Sequence, residues 1–112
     1  MTTIEQLFID LLRDNPDDWS QRGDEYYNDR AKIMLYVSEV REYSVWTLSG
    51  KRTVNAAVLK TYEGTYAARS TMHEVRAGRR ATKKIMKLID ALNERKMVLQ
   101  IISNQAQEGK ER

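Results

Sequence analysis

A chain of 112 residues with 19 Lys/Arg, 16 Asp/Glu, one histidine and no cysteine has the length of one domain, or of one protomer in an assembly. The lack of cysteine excludes disulfides, zinc-thiolate sites and thiol nucleophiles, and no apolar run reaches the roughly 18 residues of a membrane span. The N-terminus has no basic stretch followed by an apolar one, so a cytoplasmic protein is expected.

The net charge of +3 hides an asymmetry. Residues 1–50 carry 5 Lys/Arg against 10 Asp/Glu, and residues 51–112 carry 14 against 6, so the halves stand at −5 and +8. Charge separated in this way suits either a polyanion or a contact between the acidic half of one copy and the basic half of another.

One proline and five glycines leave little punctuation for hairpins, which favours helices. Thr3 with Gln6 forms a capping box, and Ile4, Leu7, Phe8, Leu11 and Leu12 recur at helical spacing. Asp14-Asn15-Pro16 ends that helix. It also offers the start of another turn, with Pro16 at its first position and Asp17 and Asp18 at its positive end; Trp19 then packs the turn on the core. Gly23 allows a bend. From about Asp24 to Leu48 the stripe Tyr26, Ile33, Val37 and Val40, broadened by Tyr27, Met34, Tyr36 and Tyr43, predicts a long helix. Val45-Trp46-Thr47 is locally β-prone, and Ser49-Gly50 reads as the stop.

The last segment, 53–104, begins at Thr53 as a cap. Val54, Val58, Leu59, Tyr62 and Tyr66 recur at helical spacing, and Gly64 marks a bend. Ala81, Ile85, Leu88, Leu92, Leu99 and Ile102 then follow a heptad-like step, with Arg95 in the remaining seam position. The expected fold is all-α, with three to four helices, two of them long, in a hairpin or bundle. It occupies residues 1–104 (acidic half 1–50, basic half 51–104) ahead of a polar tail, 105–112. Ile85, Leu88, Leu92, Leu99 and Ile102 would form the core or join protomers of a homo-oligomer, because long helices in so short a chain expose apolar stripes.

Catalysis has little to stand on. His73-Glu74 lacks the second histidine of a zinc-protease helix, and neither a phosphate-cradling glycine loop nor a nucleophile elbow occurs. The expectation is a non-enzyme with no metal and no cofactor. The stronger signal is cationic. On a helix Arg69, Arg76, Arg80, Lys83 and Lys87 share one stripe, flanked by Arg79 and Lys84, with Glu74 the single acid between Arg69 and Lys87. Guanidinium forks and ammonium groups so arranged neutralise backbone phosphates and release counterions. Tyr62 and Tyr66, near Lys60 and Arg69, are candidates for stacking on unpaired bases, or else core residues with their hydroxyls at the surface. No recognition-helix, zinc-finger or RNP-type motif supports reading of duplex sequence.

The run Leu59-Lys60-Thr61-Tyr62-Glu63-Gly64 resembles the lysine–tyrosine–glycine region of the UvsY-type recombination mediators of phages. Tyr36 to Leu48 resembles a helical stretch of that family, and Ile85 to Ile102 its final helix, so the resemblance spans about residues 30–102. One tyrosine stands where the family commonly has two, and the stretch between the glycine and the last helix is shorter. The resemblance implies a ring-forming helical protein, in the host cytoplasm, that binds single-stranded DNA. It would work beside a recombinase and a single-strand-binding protein, with Lys60 in the DNA-contacting region. The rival expectation is a protein-interaction module, an inhibitor or adaptor of a host complex, that uses Asp14, Asp17, Asp18 and Trp19 or the Tyr26-Tyr27 pair.

Overall fold

Nearly every residue from Ile33 to Val40 is apolar, β-branched or aromatic, and both parities of the run are occupied. A half-buried helix needs a polar side; a strand packed on both faces does not. A computed structural model, which describes residues 3–43 and 51–110, places this run in a sheet. Helix α1 (Thr3–Asp14) and a 3₁₀ turn (Pro16–Asp18) come first. Five strands follow, β1 (Ser20–Arg22), β2 (Glu25–Asn28), β3 (Ile33–Tyr43), β4 (Lys51–Gly64) and β5 (Arg69–Arg76), and then helix α2 (Arg79–Lys110). The strands form an antiparallel meander in the order β1-β2-β3-β4-β5.

The all-α expectation is therefore corrected. The helix expected over Asp24–Leu48 is β2 and β3 as far as Tyr43, and the first part of the segment 53–104 is β4 and β5. The readings at Val45-Trp46-Thr47 and Ser49-Gly50 lie outside the described residues. Helix α1 forms over Thr3–Asp14 and stops before Pro16 as expected. It buries Phe8, Ile9 and Leu12, but Leu7 of the expected face is exposed, and the Gln6 side chain bonds Asp10 rather than capping the start. Trp19 packs against Phe8 and donates its indole N–H to the Leu11 carbonyl at 3.1 Å.

Both helices cover one face of the sheet. In β3 and β4 that face carries Ile33, Leu35, Val37, Ala57 and Leu59, against Phe8 and Leu12 of α1 and Ala81, Ile85, Ile89 and Leu92 of α2. The opposite face carries Met34, Tyr36, Val58, Lys60 and Tyr62, by the strict alternation of the β3–β4 register. Here Met34, Tyr62 and Tyr66 form a second, smaller cluster with Tyr27 and Tyr36.

The strands differ greatly in length, and this leaves edges open. β2 pairs with β3 only at Ile33–Leu35, and β5 pairs with β4 only from Val58 onward. The two long strands thus run on as a ribbon. Its β4 edge is closed at Ala57, whose carbonyl accepts from the Ala77 N–H at 2.8 Å and whose N–H donates to Thr82 Oγ1 at 3.1 Å. One residue into the link, the Gly78 N–H donates to the buried Glu5 carboxylate at 2.8 Å, so α1 holds the start of α2.

Gly64 does mark a bend, at the end of a strand. Its φ is +89°, and a Cβ there would stand 2.5 Å from the Ala68 carbonyl oxygen. Gly64→Ala is therefore expected to lower stability by about 1–3 kcal/mol, read as a lower urea midpoint at unchanged slope. Thr82→Val, which keeps the shape but leaves the buried Ala57 N–H without an acceptor, is expected to cost about the same.

Candidate nucleic-acid interface

Helix α2 turns its buried side, Ala81, Ile85, Ile89 and Leu92, toward the sheet. With about 100° per residue, Arg79, Arg80, Lys83, Lys84 and Lys87 fall on the outer side, and all five are exposed. They form a ridge about 12 Å long at 1.5 Å per residue. Asp90 and Glu94, on the same side one and two turns later, bound it. Arg80, Lys83, Lys84 and Lys87 make no ion pair with any described residue. Five acids of the N-terminal half are engaged elsewhere: Asp17 with Arg95 at 3.1 Å, Asp18 with Arg30 at 3.8 Å, Asp10 and Asp14 with Arg13, and Glu25 with Arg69. The hydrogen bond from Arg13 holds the Asp14 carboxyl below the ordinary carboxylate range.

Beside the ridge lies a cleft of about 370 Å³ between the N-terminal turns of α2 and the open edge of β4. Arg52, Arg79 and Lys83 bring three cations to it, Val54 and Met86 its apolar surface, and Asn55 and Thr82 polar groups. The N–H and C=O of Ala57 point to the β5 side. Thr53 and Asn55, on the same parity of the strand, therefore turn theirs to that side as well, where β5 no longer runs. Arg52 is the contributor that sequence reasoning missed. Only the register of β4, which sets it beside α2, could have revealed it.

The remaining cations of the expected stripe are elsewhere. Arg69 and Arg76 lie on β5 and Lys60 on β4, around the sheet face that carries no helix. Lys60 stands 3.9 Å from Glu74 and 5.3 Å from the centroid of the Tyr36 ring. Arg76 rims a groove of about 450 Å³ with Tyr36, Val40, Val58 and Glu74. Arg69 is half-buried, pairs with Glu25 at 3.4 Å and lies 4.3 Å over the Tyr66 ring. A single stripe from Arg69 to Lys87 is thus two separate groups, because the chain turns from strand to helix at Ala77-Gly78.

The two stacking candidates sit inside this open-face network. Tyr62 is 3% exposed and Tyr66 8% exposed, which leaves almost no ring surface for a base. Tyr62 donates its hydroxyl to Asp29 at 2.5 Å and Tyr66 donates to Glu25 at 2.6 Å, while Tyr66 stacks on Tyr27 with centroids 4.1 Å apart. The rival acidic and aromatic set is likewise engaged: Trp19 and Tyr26 are buried, and Asn93 donates to the Tyr26 hydroxyl. Of the expected core or oligomer residues, Ile85 and Leu92 are buried and Leu88 partly so, whereas Leu99 and Ile102 are exposed.

A scan against protein-family models and searches of curated proteins and of solved structures each find no match. Among the described residues, no helix is long and apolar enough to cross a membrane.

Burial, with the hydrogen bond to Asp29, pushes the Tyr62 hydroxyl pKa well above its ordinary value; the hydrogen bond to Glu25 raises that of Tyr66. A folded-state pKa above the unfolded value of about 10 gives stability that is intact below pH 10 and lost as pH rises beyond it. Tyr62→Phe is expected to cost about 1–2 kcal/mol at neutral pH. Urea denaturation at neutral and strongly alkaline pH should also show the variant losing less stability above about pH 10 than the parent chain.

Proposed function

We propose that this chain binds single-stranded nucleic acid without catalysing a reaction, holding phosphates along the outer ridge of α2 and in the cleft against β4. The observation that carries this reading is that Arg80, Lys83, Lys84 and Lys87 make no ion pair with any described residue. A cationic face that merely balanced the acidic half would be met by its carboxylates, and Asp10, Asp14, Asp17, Asp18 and Glu25 of that half are bound to other residues. Exposed cations at this density gain from releasing the counterions of a phosphate chain, whatever its sequence.

Shape favours one strand over two. The ridge is short and the adjoining cleft is concave, so a ligand must bend within a few nucleotides to use both. A single strand bends freely, whereas duplex DNA stays straight over a persistence length of about 150 base pairs. The N–H groups of Thr53 and Asn55 on the β4 edge supply neutral donors beside the three cations of the cleft. Stacking on Tyr62 or Tyr66 has no part in the proposal, since both rings are covered. The mediator resemblance adds a setting, recombination beside a recombinase and a single-strand-binding protein. The helical stretch it invoked, Tyr36 to Leu48, is strand β3 as far as it is described, so the reading rests on the ridge.

Fluorescence titration of the chain with a labelled single-stranded oligonucleotide over a range of salt tests this. Three to five neutralised phosphates give a slope of log K against log[salt] between about −2 and −3.5. The double reversal Arg80→Glu with Lys84→Glu is expected to weaken binding by about 30-fold or more, whereas Arg30→Glu, far from the ridge, leaves it unchanged. A slope near zero, or equal affinity for a duplex of the same length, would sink the proposal.

A further inference from the structure

Helix α2 is longer than the body on which it packs. Its 32 residues span about 48 Å. Leu92 is the last buried residue of α2 among those whose side chains are described, and the ion pair of Arg95 with Asp17 follows one turn later. Beyond that point Met97, Val98, Leu99, Ile101 and Ile102 are each 50–61% exposed. At about 100° per residue they fill an arc of about 200° around the helix, leaving Gln100, Ser103 and Asn104 for the other side. Five large apolar side chains in six positions form a contiguous patch of the kind that soluble chains cover with a partner.

We infer that the partner is a second copy of this chain, whose α2 packs antiparallel on the same arc. The patch is self-complementary under a two-fold axis. Placed midway between Leu99 and Gln100, the axis sets Val98 opposite Ile101 and Met97 opposite Ile102, so one short segment supplies both sides of the contact. No charged residue occurs from Met97 to Gln107, so like charges do not meet across the axis. The heptad-like seam Ile85, Leu88, Leu92, Arg95, Leu99, Ile102 passes without a break from the part packed on its own sheet to the part packed on nothing.

Charge decides the direction. A parallel pair would bring two ridges of five cations side by side, whereas the antiparallel pair sends them to opposite ends. Lys83 lies 16 to 17 residues from the axis, so the two ridges would stand about 50 Å apart. Half-exposed side chains of this size each leave on the order of 100 Å² uncovered, so two copies would bury about 1,000 Å², the lower end for a specific interface. A lipid surface fits less well, because amphipathic helices at membranes carry Lys or Arg on the polar side of the arc and 97–107 has neither.

The full chain is examined by light scattering over a range of concentration. The expected result is a mass of two 13.1 kDa chains at high concentration. Ile101→Glu should raise the dimer dissociation constant by about 100-fold, since the axis inserts each charge twice, with the thermal midpoint unchanged at concentrations where the parent chain is also monomeric. Val98→Gln, milder and equally exposed, keeps the test open if Ile101→Glu does not fold. The chain has no cysteine, so a single spin label at Lys83→Cys reads the direction: about 50 Å between labels for the antiparallel pair, under about 30 Å for a parallel one. Three outcomes would overturn the inference: a monomer at every concentration, a dimer indifferent to both substitutions, or the short label distance. Cosedimentation of the monomer with phosphatidylglycerol vesicles would assign the arc to lipid instead.

Discussion

The edge of β4 at Ala57 is the constraint on which the rest of this molecule depends. Strand β5 ends there, and the strand's last outward groups would be stranded in the core if nothing met them. Ala77 supplies a donor, Thr82 supplies an acceptor, and between them Gly78 gives its N–H to Glu5. These contacts fix the position and direction in which α2 leaves the sheet. Ala81, Ile85 and Ile89 must then face inward, and the cations between them must face outward. The ridge is a consequence of the junction as much as of its own spacing.

The two charged faces illustrate how similar composition can have different physical roles. On the open sheet face, Arg69 and Lys60 lie over tyrosine rings and beside Glu25 and Glu74. Their charge is answered inside the fold, where cation–π and ion-pair contacts roof a cluster that has no helix above it. On α2, Arg80, Lys83, Lys84 and Lys87 have neither rings nor carboxylates among the described residues. The distinction depends on neighbours that lie up to 44 residues away, as for Glu25 and Arg69.

This separation also explains what was legible in the sequence. The extent of helix α1 could be read, because one face is buried and the other wet and a proline follows it, although Leu7 is exposed and Ile9 takes its place inside. The inner seam of α2 as far as Leu92 could be read for the same reason, Ile89 apart, and so could the cations on its outer side. The strands could not. Ile33, Met34 and Leu35 are all buried, as are Ala56 to Leu59, so the period of two that betrays a half-exposed strand is erased. The turns were concealed as well. The β2–β3 connection uses no glycine: Asn28 Oδ1 accepts the Ala31 N–H, and Lys32 takes a left-handed φ of +59° while its ammonium reaches the Gly64 carbonyl. Tyr62 and Tyr66 kept regular helical spacing although Tyr62 lies on β4 and Tyr66 in the turn between β4 and β5.

The contact between Glu5 and Gly78 joins residues 73 positions apart, and α1 finds much of its cover on α2. During synthesis the first helix therefore emerges with its apolar side uncovered and waits while the whole meander is made. Its docking closes a loop that spans most of the chain, so it belongs late in folding, after local hairpins have formed. Until then Phe8, Ile9 and Leu12 are open to solvent and to other nascent chains, and the hazard ends only when α2 has left the ribosome.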